Sequence, residues 1–309
     1  MQTALLLDAL YKKHETGAGH PERVDRYDAV TQALGQFSTL PRIMPREATD
    51  EELALVHARQ YIELVRREIP AGVEQLSTGD THVCPASLDV ALKAVGGVLN
   101  AVDMVFSKAC NNAFCAVRPP GHHATPTRGM GFCIFNNVAI AARYAQQKHG
   151  AERVLIADWD VHHGNGTQDA FYNDGSVLFF STHQSPWYPG TGAASERGEG
   201  KGEGLILNRP FPAEAGRAQI FNAFHDDLAK AAETFHPDFV LISAGFDSRA
   251  GDPLGRFRLT DQDFRDMTHV MRSIADKYAG GRLVSLLEGG YSLTGLAAGV
   301  KAHVEELAS

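Results

Sequence analysis

Two carboxylates and an imidazole with the spacing of metal ligands follow one apolar run of the sequence. Asp158, Asp160 and His162 are two residues apart, so their side chains point to the same side wherever the chain is extended. An Asp-x-His pair on this side can supply an oxygen and a nitrogen to one cation, and Asp247, after another apolar run, is a candidate third ligand. Three protein ligands with an open position are typical of a catalytic zinc site, which acidifies a bound water and polarises a carbonyl. The competing interpretation is that these side chains only cap helices and satisfy loop backbone.

The histidine doublet His122-His123 comes directly after a Pro-Pro-Gly turn. Rigid prolines followed by a permissive glycine fix the direction in which both rings point. An imidazole has the pKa that a general base beside a metal-activated water needs. Asp158 is the candidate carboxylate behind an imidazole, because it need not bind the metal itself. Tyr291, which follows two glycines, is placed to present its phenol to a developing oxyanion.

A mostly parallel sheet with helices on both faces would bring these residues together. Short apolar runs alternate with helical patterns, as expected for buried parallel strands, and the carboxyl ends of such strands form a ligand-binding edge. We therefore predict one α/β domain over residues 1–309. The predicted strands are 4–7, 113–117, 153–157, 177–181, 239–243 and 283–287, and the predicted helices are 86–106, 136–148, 217–235, 260–278 and 293–307.

The composition excludes several classes of protein. The 309 residues carry a formal net charge of -8 and no basic run, which argues against nucleic-acid binding. No apolar stretch approaches the roughly 18–20 residues of a membrane span, and the N-terminus lacks a signal-peptide pattern. The four cysteines form no CxxC pair, which favours reduced thiols and a cytoplasmic protein.

Two further patterns lie outside the candidate site. Residues 190–204 are glycine-rich but form no P-loop, because Lys201 is followed by glycine, and they predict a mobile loop beside the site. The segment His20-Pro21-Glu22-Arg23 predicts the start of a helix with a charged first turn.

Six motifs resemble those of the zinc-dependent histone deacetylase family and occur in the order that the family has. The resemblance covers nearly the whole chain from His20 onward. The short length of the chain is similar to that of bacterial members. Asn165 resembles the class II branch, because class I usually has an aspartate at this position. The motifs are RPPGHH at 118–123, GFCIFNN at 131–137, DWDVHHGNG at 158–166, YPGTG at 188–192, AGFD at 244–247 and EGGY at 288–291.

The resemblance implies an arginase-like fold with about eight strands and the removal of acetyl or other acyl groups from lysine side chains of proteins or peptides. It implies one catalytic Zn²⁺ ion, bound by Asp160, His162 and Asp247. The implied catalytic residues are His122 and His123 as the acid–base pair, Asp158 behind His122, Asn165 behind His123, and Tyr291 on the substrate carbonyl.

The same resemblance implies a substrate tunnel and one or two K⁺ ions. The tunnel residues are Gly131, Phe132, Tyr188, Leu254 and Gly290. The residues near an inner K⁺ are Asp158, Asp160, His162, Ser181 and Thr182, and those near an outer K⁺ are Phe171, Asp174 and Val177.

Other substrates and metals stay open at this point. Polyamine-selective relatives carry a glutamate at the position of Leu254, so the apolar residue favours acyl-lysine over N-acetylpolyamines, unless Glu22 or Asp80 supplies acidity from another loop. A binuclear manganese ureohydrolase would need a second set of ligands near Val161 and Asn165, and a non-catalytic acyl-lysine reader would lack one of the catalytic groups. Fe²⁺ is an alternative to Zn²⁺, and a homo-oligomer is also left open.

Overall fold

Eight parallel strands form one sheet in the computed structural model, which describes residues 2–309. Across the sheet the strands run β2-β1-β3-β8-β7-β4-β5-β6, and every neighbouring pair is parallel. The prediction of a mostly parallel sheet of about eight strands is confirmed. The strands are β1 Thr3–Leu6, β2 Arg42–Ile43, β3 Asn112–Cys115, β4 Val154–Asp158, β5 Val177–Gln184, β6 Ile206–Phe211, β7 Phe239–Ala244 and β8 Leu283–Leu287.

The six strands that the sequence predicts are the ones buried at every position. A strand buried at consecutive residues is covered on both faces, so it reads as a continuous apolar run. The two strands that were not predicted lie at the edges of the sheet. β2 has only two residues, and β6 carries polar side chains and a proline, which an edge strand tolerates because one side of it forms no ladder.

The five predicted helices are present within two residues at each end, and the stretch from 217 to 235 contains a π-helical turn at Ala223–Leu228. The shorter helices were not predicted, apart from the helix start at 20–23, which directly precedes the helix Val24–Ala33. The helices are α1 Val24–Ala33, α2 Asp50–Leu53, α3 Arg59–Glu68, α4 Ser87–Phe106, α5 Asn137–His149, α6 Asn165–Phe171, α7 Arg217–Asn222, α8 Ala229–Phe235, α9 Asp261–Tyr278 and α10 Leu293–Leu307. Within residues 2–309, none of them is long and apolar enough to span a membrane.

The strand order places the candidate site residues together. β3, β8, β7, β4 and β5 are consecutive neighbours at the centre of the sheet, and all point the same way. The loops after them carry the His122-His123 doublet, Tyr291, Asp247, His162 and Tyr188. One edge of the sheet therefore receives side chains from five loops that are far apart in sequence.

Three buried histidines are expected to contribute less and less to the stability of this fold as the pH falls below about 6.5. Burial lowers the pKa of His14 and of His57 to about 4, and that of His303 to about 3. Between those values and the ordinary histidine pKa, only the unfolded chain binds these protons, so the contribution of these histidines to the free energy of unfolding falls as the pH falls, by up to about 1.4 kcal/mol per pH unit and histidine. Denaturant titration of metal-free protein at pH 7.5 and pH 5.5 measures the slope. His57→Gln should flatten it and the exposed control His269→Gln should not; equal slopes in all three proteins would contradict the explanation.

Candidate functional site

Asp160, His162 and Asp247 form a buried cluster at the carboxyl edge of the sheet. One potential ligand atom from each lies within 4.8 Å of the others. His162 Nδ1 is 3.0 Å from Asp160 Oδ1 and 3.2 Å from Asp247 Oδ2, and this last oxygen is buried without a hydrogen-bond partner. Burial, together with the neighbouring charge of Asp160, raises the pKa of Asp247 to about 7. Two buried carboxylates at this separation repel each other unless a cation lies between them, so the donor set fits a divalent metal ion.

Backbone amides and two glycines hold these carboxylates in place. Gly289 N donates to Asp160 Oδ2 over 2.8 Å, and Val161 N donates to Asp247 Oδ1 over 2.8 Å. A Cβ atom on Gly289 would lie 2.2 Å from Asp247 Oδ2, and one on Gly245 would lie 2.2 Å from Asp160 Oδ2. The backbone approaches the carboxylates closely enough that only glycine fits at both positions.

His122 is fixed from both its ring and its backbone. Its Nδ1 lies 2.9 Å from Asp158 Oδ2, and Glu288 Oε2 accepts from the amides of His122 and Gly121 over 3.2 and 2.7 Å. Burial by itself would lower the pKa of His122, but the carboxylates of Asp158 and Asp160 outweigh it and raise this pKa to about 10. A divalent cation beside Asp160 would cancel part of that field. His122 is therefore the more easily protonated ring of the doublet.

His123 has a neutral partner instead of a carboxylate. Its Nδ1 lies 2.8 Å from the amide oxygen of Asn165, which only accepts, so Nδ1 carries the hydrogen and Nε2 keeps its lone pair. Burial, followed by the neighbouring His122 and His162, lowers the pKa of His123 well below its usual value. Its ring meets that of Tyr188 edge-on with 5.2 Å between centroids. This ring is the neutral member of the pair.

Tyr291 is partly exposed to the channel between an aromatic ring and a guanidinium group. Its ring centroid is 6.1 Å from that of Phe132 and 5.0 Å from Arg26 Cζ. Arg26 also donates to the carbonyl oxygens of Gly290 and Glu288, over 2.6 Å each, so it holds the backbone that precedes the tyrosine. Burial raises the pKa of the phenol well above 10, which leaves Tyr291 a hydrogen-bond donor.

A channel of about 230 Å³ leads from the surface to these groups. Four of the five predicted tunnel residues lie in its wall. Gly290 does not: its carbonyl binds Arg26, and a Cβ atom there would lie 3.0 Å from Leu296. The lining residues are Asp80, His123, Gly131, Phe132, His162, Trp187, Tyr188, Leu254 and Tyr291.

Two of the lining residues tie separate loops together at the mouth. Asp80 Oδ1 accepts from Gly131 N over 2.7 Å and lies 3.5 Å from the Tyr188 hydroxyl. The Trp187 indole donates to the Leu254 carbonyl over 2.8 Å. Trp187 was not predicted from the sequence, although a tryptophan directly before the YPGTG motif was a signal for it.

Glu22 is not at the channel, contrary to the sequence-based option that it supplies acidity there. It is fully buried, where it accepts from Arg118 over 2.5 and 2.7 Å and from Arg26 over 2.7 Å. Both guanidinium groups outweigh the effect of burial and lower the pKa of Glu22 to about 2. The segment 20–23 thus does more than start a helix, because it anchors the arginine that holds the Tyr291 loop.

The glycine-rich segment 190–204 is tethered next to the site. Glu196 accepts from the amides of Gly192 and Ala193 over 3.1 Å each, and Gln168 Nε2 donates to it over 2.6 Å. His163, beside the candidate ligand, lies 2.8 Å from the Thr191 hydroxyl. These contacts hold the segment at several points, where the sequence alone predicts a mobile loop.

The residues predicted for K⁺ fall into two groups, one around the carboxyl end of β4 and the neighbouring part of β5, and one before and at the start of β5. The first lies at the carboxyl edge of the sheet, where Thr182 Oγ1 is buried without a hydrogen-bond partner. Val177 of the second group is four residues before Ser181 of the first group, which corresponds to roughly 13 Å at about 3.3 Å per residue along a strand. In the second group the Asp174 carboxylate already lies 2.5 Å from Arg143. The first group is Asp158, Asp160, His162, Ser181 and Thr182, and the second is Phe171, Asp174 and Val177.

Comparisons with known proteins agree on one family. The sequence pattern described as "Histone deacetylase domain" matches residues 20–307. A probable deacetylase of Archaeoglobus fulgidus is 40% identical over 300 residues, which cover 96% of this chain and 83% of that protein. The human "Polyamine deacetylase HDAC10" is 40% identical over 93% of this chain and 44% of its own length. The solved "HDA15 HD domain" superposes with a TM-score of 0.93 at 38% identity, covering 99% of this chain and 89% of that one.

Proposed function

Because the chain belongs to the histone deacetylase family, we propose that it is a zinc-dependent amidohydrolase that removes acetyl groups from lysine side chains of proteins or peptides. The observation that carries the proposal is the channel itself. It is walled by Phe132, Tyr188 and Leu254 and has His123, His162 and Tyr291 among its lining residues. An acetyl-lysine side chain is a four-carbon stem ending in a neutral amide, which suits an apolar channel with polar groups at its base.

Asp160, His162 and Asp247 are the residues that would hold the zinc ion. A zinc ion bound there supplies Lewis acidity, which lowers the pKa of a water molecule and polarises the substrate carbonyl. Val161 has an apolar side chain, and Asn165 is engaged with His123, so neither offers the carboxylate or imidazole that a second metal of a ureohydrolase would need. The proposal is accordingly for a single catalytic metal.

The chain's own residues divide the proton transfers and charge stabilisation between them. His123 Nε2 takes a proton from the attacking water, because its Nδ1 hydrogen is committed to Asn165. The Tyr291 phenol donates to the oxygen that becomes negative when water adds to the amide carbon. His123 then passes its proton to the leaving nitrogen, and the C–N bond breaks to give acetate and a free lysine amine. His122, whose Nδ1 lies 2.9 Å from Asp158 Oδ2, is the ring of the doublet whose charged form a carboxylate favours.

A second candidate, an N-acetylpolyamine deacetylase, is favoured by one observation. Asp80 lines the channel near Tyr188, so a carboxylate is available to a distal ammonium group, and one relative is named a polyamine deacetylase. Leu254 favours the lysine substrate, because its side chain offers no charge, and Glu22 is committed to two arginines.

Turnover of an acetyl-lysine peptide and of N-acetylputrescine by the same zinc-loaded preparation tests the proposal. We expect kcat/KM to be at least about tenfold higher for the peptide, which corresponds to about 1.4 kcal/mol of transition-state binding. Asp80→Asn should lower the polyamine rate if that carboxylate binds the ammonium, while Asp28→Asn, at an exposed surface site, is the control. A preference for acetylputrescine that disappears in Asp80→Asn would replace the first proposal with the second.

A further inference from the structure

We infer that Asp252 is a positioning residue that sets Tyr291 and the channel wall at Leu254 together. Its carboxylate accepts three backbone hydrogen bonds: Oδ2 from Tyr291 N over 2.7 Å and from Ser292 N over 2.9 Å, and Oδ1 from Leu254 N over 2.9 Å. Asp252 is 8% exposed, so these bonds form largely away from water. The inference rests on the proposed function, because it assigns Asp252 a role that acts through the Tyr291 phenol.

The backbone that carries Tyr291 needs an external anchor. It follows Gly289 and Gly290, and Gly290 has a φ of 122°, a conformation that residues with a side chain rarely adopt. Arg26 donates hydrogen bonds to the carbonyl groups of Glu288 and Gly290 in this loop. Asp252 accepts hydrogen bonds from the amides of the next two residues, Tyr291 and Ser292. The carboxylate thereby completes the restraint at the residue whose hydroxyl must meet the oxyanion.

The same carboxylate connects the segment that carries the phenol to the segment that carries Leu254. Leu254 lines the channel, its amide is held by Asp252 and its carbonyl by the Trp187 indole. A shift of Leu254 is therefore transmitted to Tyr291 through one short, buried set of hydrogen bonds. Asp252 thus supports two residues at once: Leu254, which is placed to contact the substrate stem, and Tyr291, which is placed to stabilise the transition state.

Asp252→Asn tests this role, since asparagine keeps the shape but loses the charge and one of the two acceptor oxygens. We expect kcat on an acetyl-lysine peptide to fall about tenfold, with KM changed less than about threefold, because charge-assisted hydrogen bonds are the stronger kind. Asp238→Asn is the matched control: Asp238 Oδ2 also accepts two backbone amides, from Glu152 and Arg153, but at the amino end of β7. That variant should keep the wild-type kcat.

The decisive readout is the same substitution in a Tyr291→Phe background. If Asp252 acts through the phenol, Asp252→Asn lowers kcat less than about twofold further once the hydroxyl is absent, because residues that act as a unit are not additive. An equal tenfold loss in both backgrounds, or no loss in the wild-type background, would overturn the inference. Wild-type kcat in Tyr291→Phe alone would instead show that the proposed role of the phenol is wrong, so the two failures are distinguishable.

Discussion

Replacing His123 with glutamine is expected to lower kcat on an acetyl-lysine peptide by about 10²–10⁴-fold, the contribution of a well-placed general base. The physical reason is the arrangement around Nε2. Asn165 holds the Nδ1 hydrogen, burial keeps the ring neutral, and the ring lies in the wall of the channel. Glutamine can occupy a similar volume but has no lone pair of comparable basicity. The measurement is steady-state kcat with zinc content verified in each protein.

Two variants make this result specific to the ring. His269→Gln changes an exposed histidine paired with Glu306 on the outer surface and should leave kcat unchanged. His122→Gln should also reduce kcat, but for a different reason, because it removes a ring whose charged form Asp158 favours. In the wild-type protein, the loss of activity on the acid side should therefore follow protonation of His123 and not of His122. If His123→Gln retained more than about a tenth of the wild-type kcat, the assignment of the base would be wrong.

Asp247→Asn is expected to have two effects of opposite sign. The amide places NH₂ hydrogens where Asp247 Oδ2 now faces the cluster without a partner, so zinc affinity and turnover should be lost together. In the metal-free protein the same change should stabilise the fold. Burial and Asp160 raise the pKa of Asp247 to about 7. Above that pH the folded wild-type protein holds this carboxylate charged and buried next to Asp160, whereas in the unfolded chain the same charge is hydrated, so ionisation disfavours the folded state.

Sign and size follow from that shift. A carboxyl group whose pKa is raised in the folded state costs stability progressively as the pH rises from about 4 to about 7, and the cost is complete above pH 7. Chelator-treated Asp247→Asn should therefore exceed chelator-treated wild type in unfolding free energy at pH 8 by roughly 1–4 kcal/mol. Asp226→Asn, at an exposed position, is the control. A variant that is less stable than metal-free wild type would mean that the two carboxylates do not repel in the native protein.

The sequence predicted the centre of the fold and the cluster because both depend on local patterns. Buried strands such as β4 are continuous apolar runs; Asp158 ends this strand, and Asp160 and His162 follow it directly. Asp247 comes from a distant strand, and only the adjacency of β4 and β7 brings it near. That adjacency is a property of the sheet topology, which the alternation of strands and helices does not determine.

What the sequence missed lies in contacts between segments that are far apart in the chain. Glu288, Asp252 and Arg26 shape the site through backbone hydrogen bonds whose partners are up to 264 residues away. Nothing in their local spacing distinguishes them from surface charges, although an acidic residue at the end of an apolar strand, as at Glu288, was a signal. Edge strand β6 was also missed, because its polar residues and its proline are more typical of a loop than of a strand.

Titration of the metal-free protein with Zn²⁺, with turnover of an acetyl-lysine peptide as the readout, tests the central proposal most directly. The proposal predicts no measurable turnover in the metal-free protein. It predicts a linear rise on adding zinc, with a plateau at one zinc ion per chain and the same end point in direct metal analysis. Turnover that persists after chelation, or none once one zinc ion per chain is bound, would contradict the assignment of Asp160, His162 and Asp247 as the catalytic metal site.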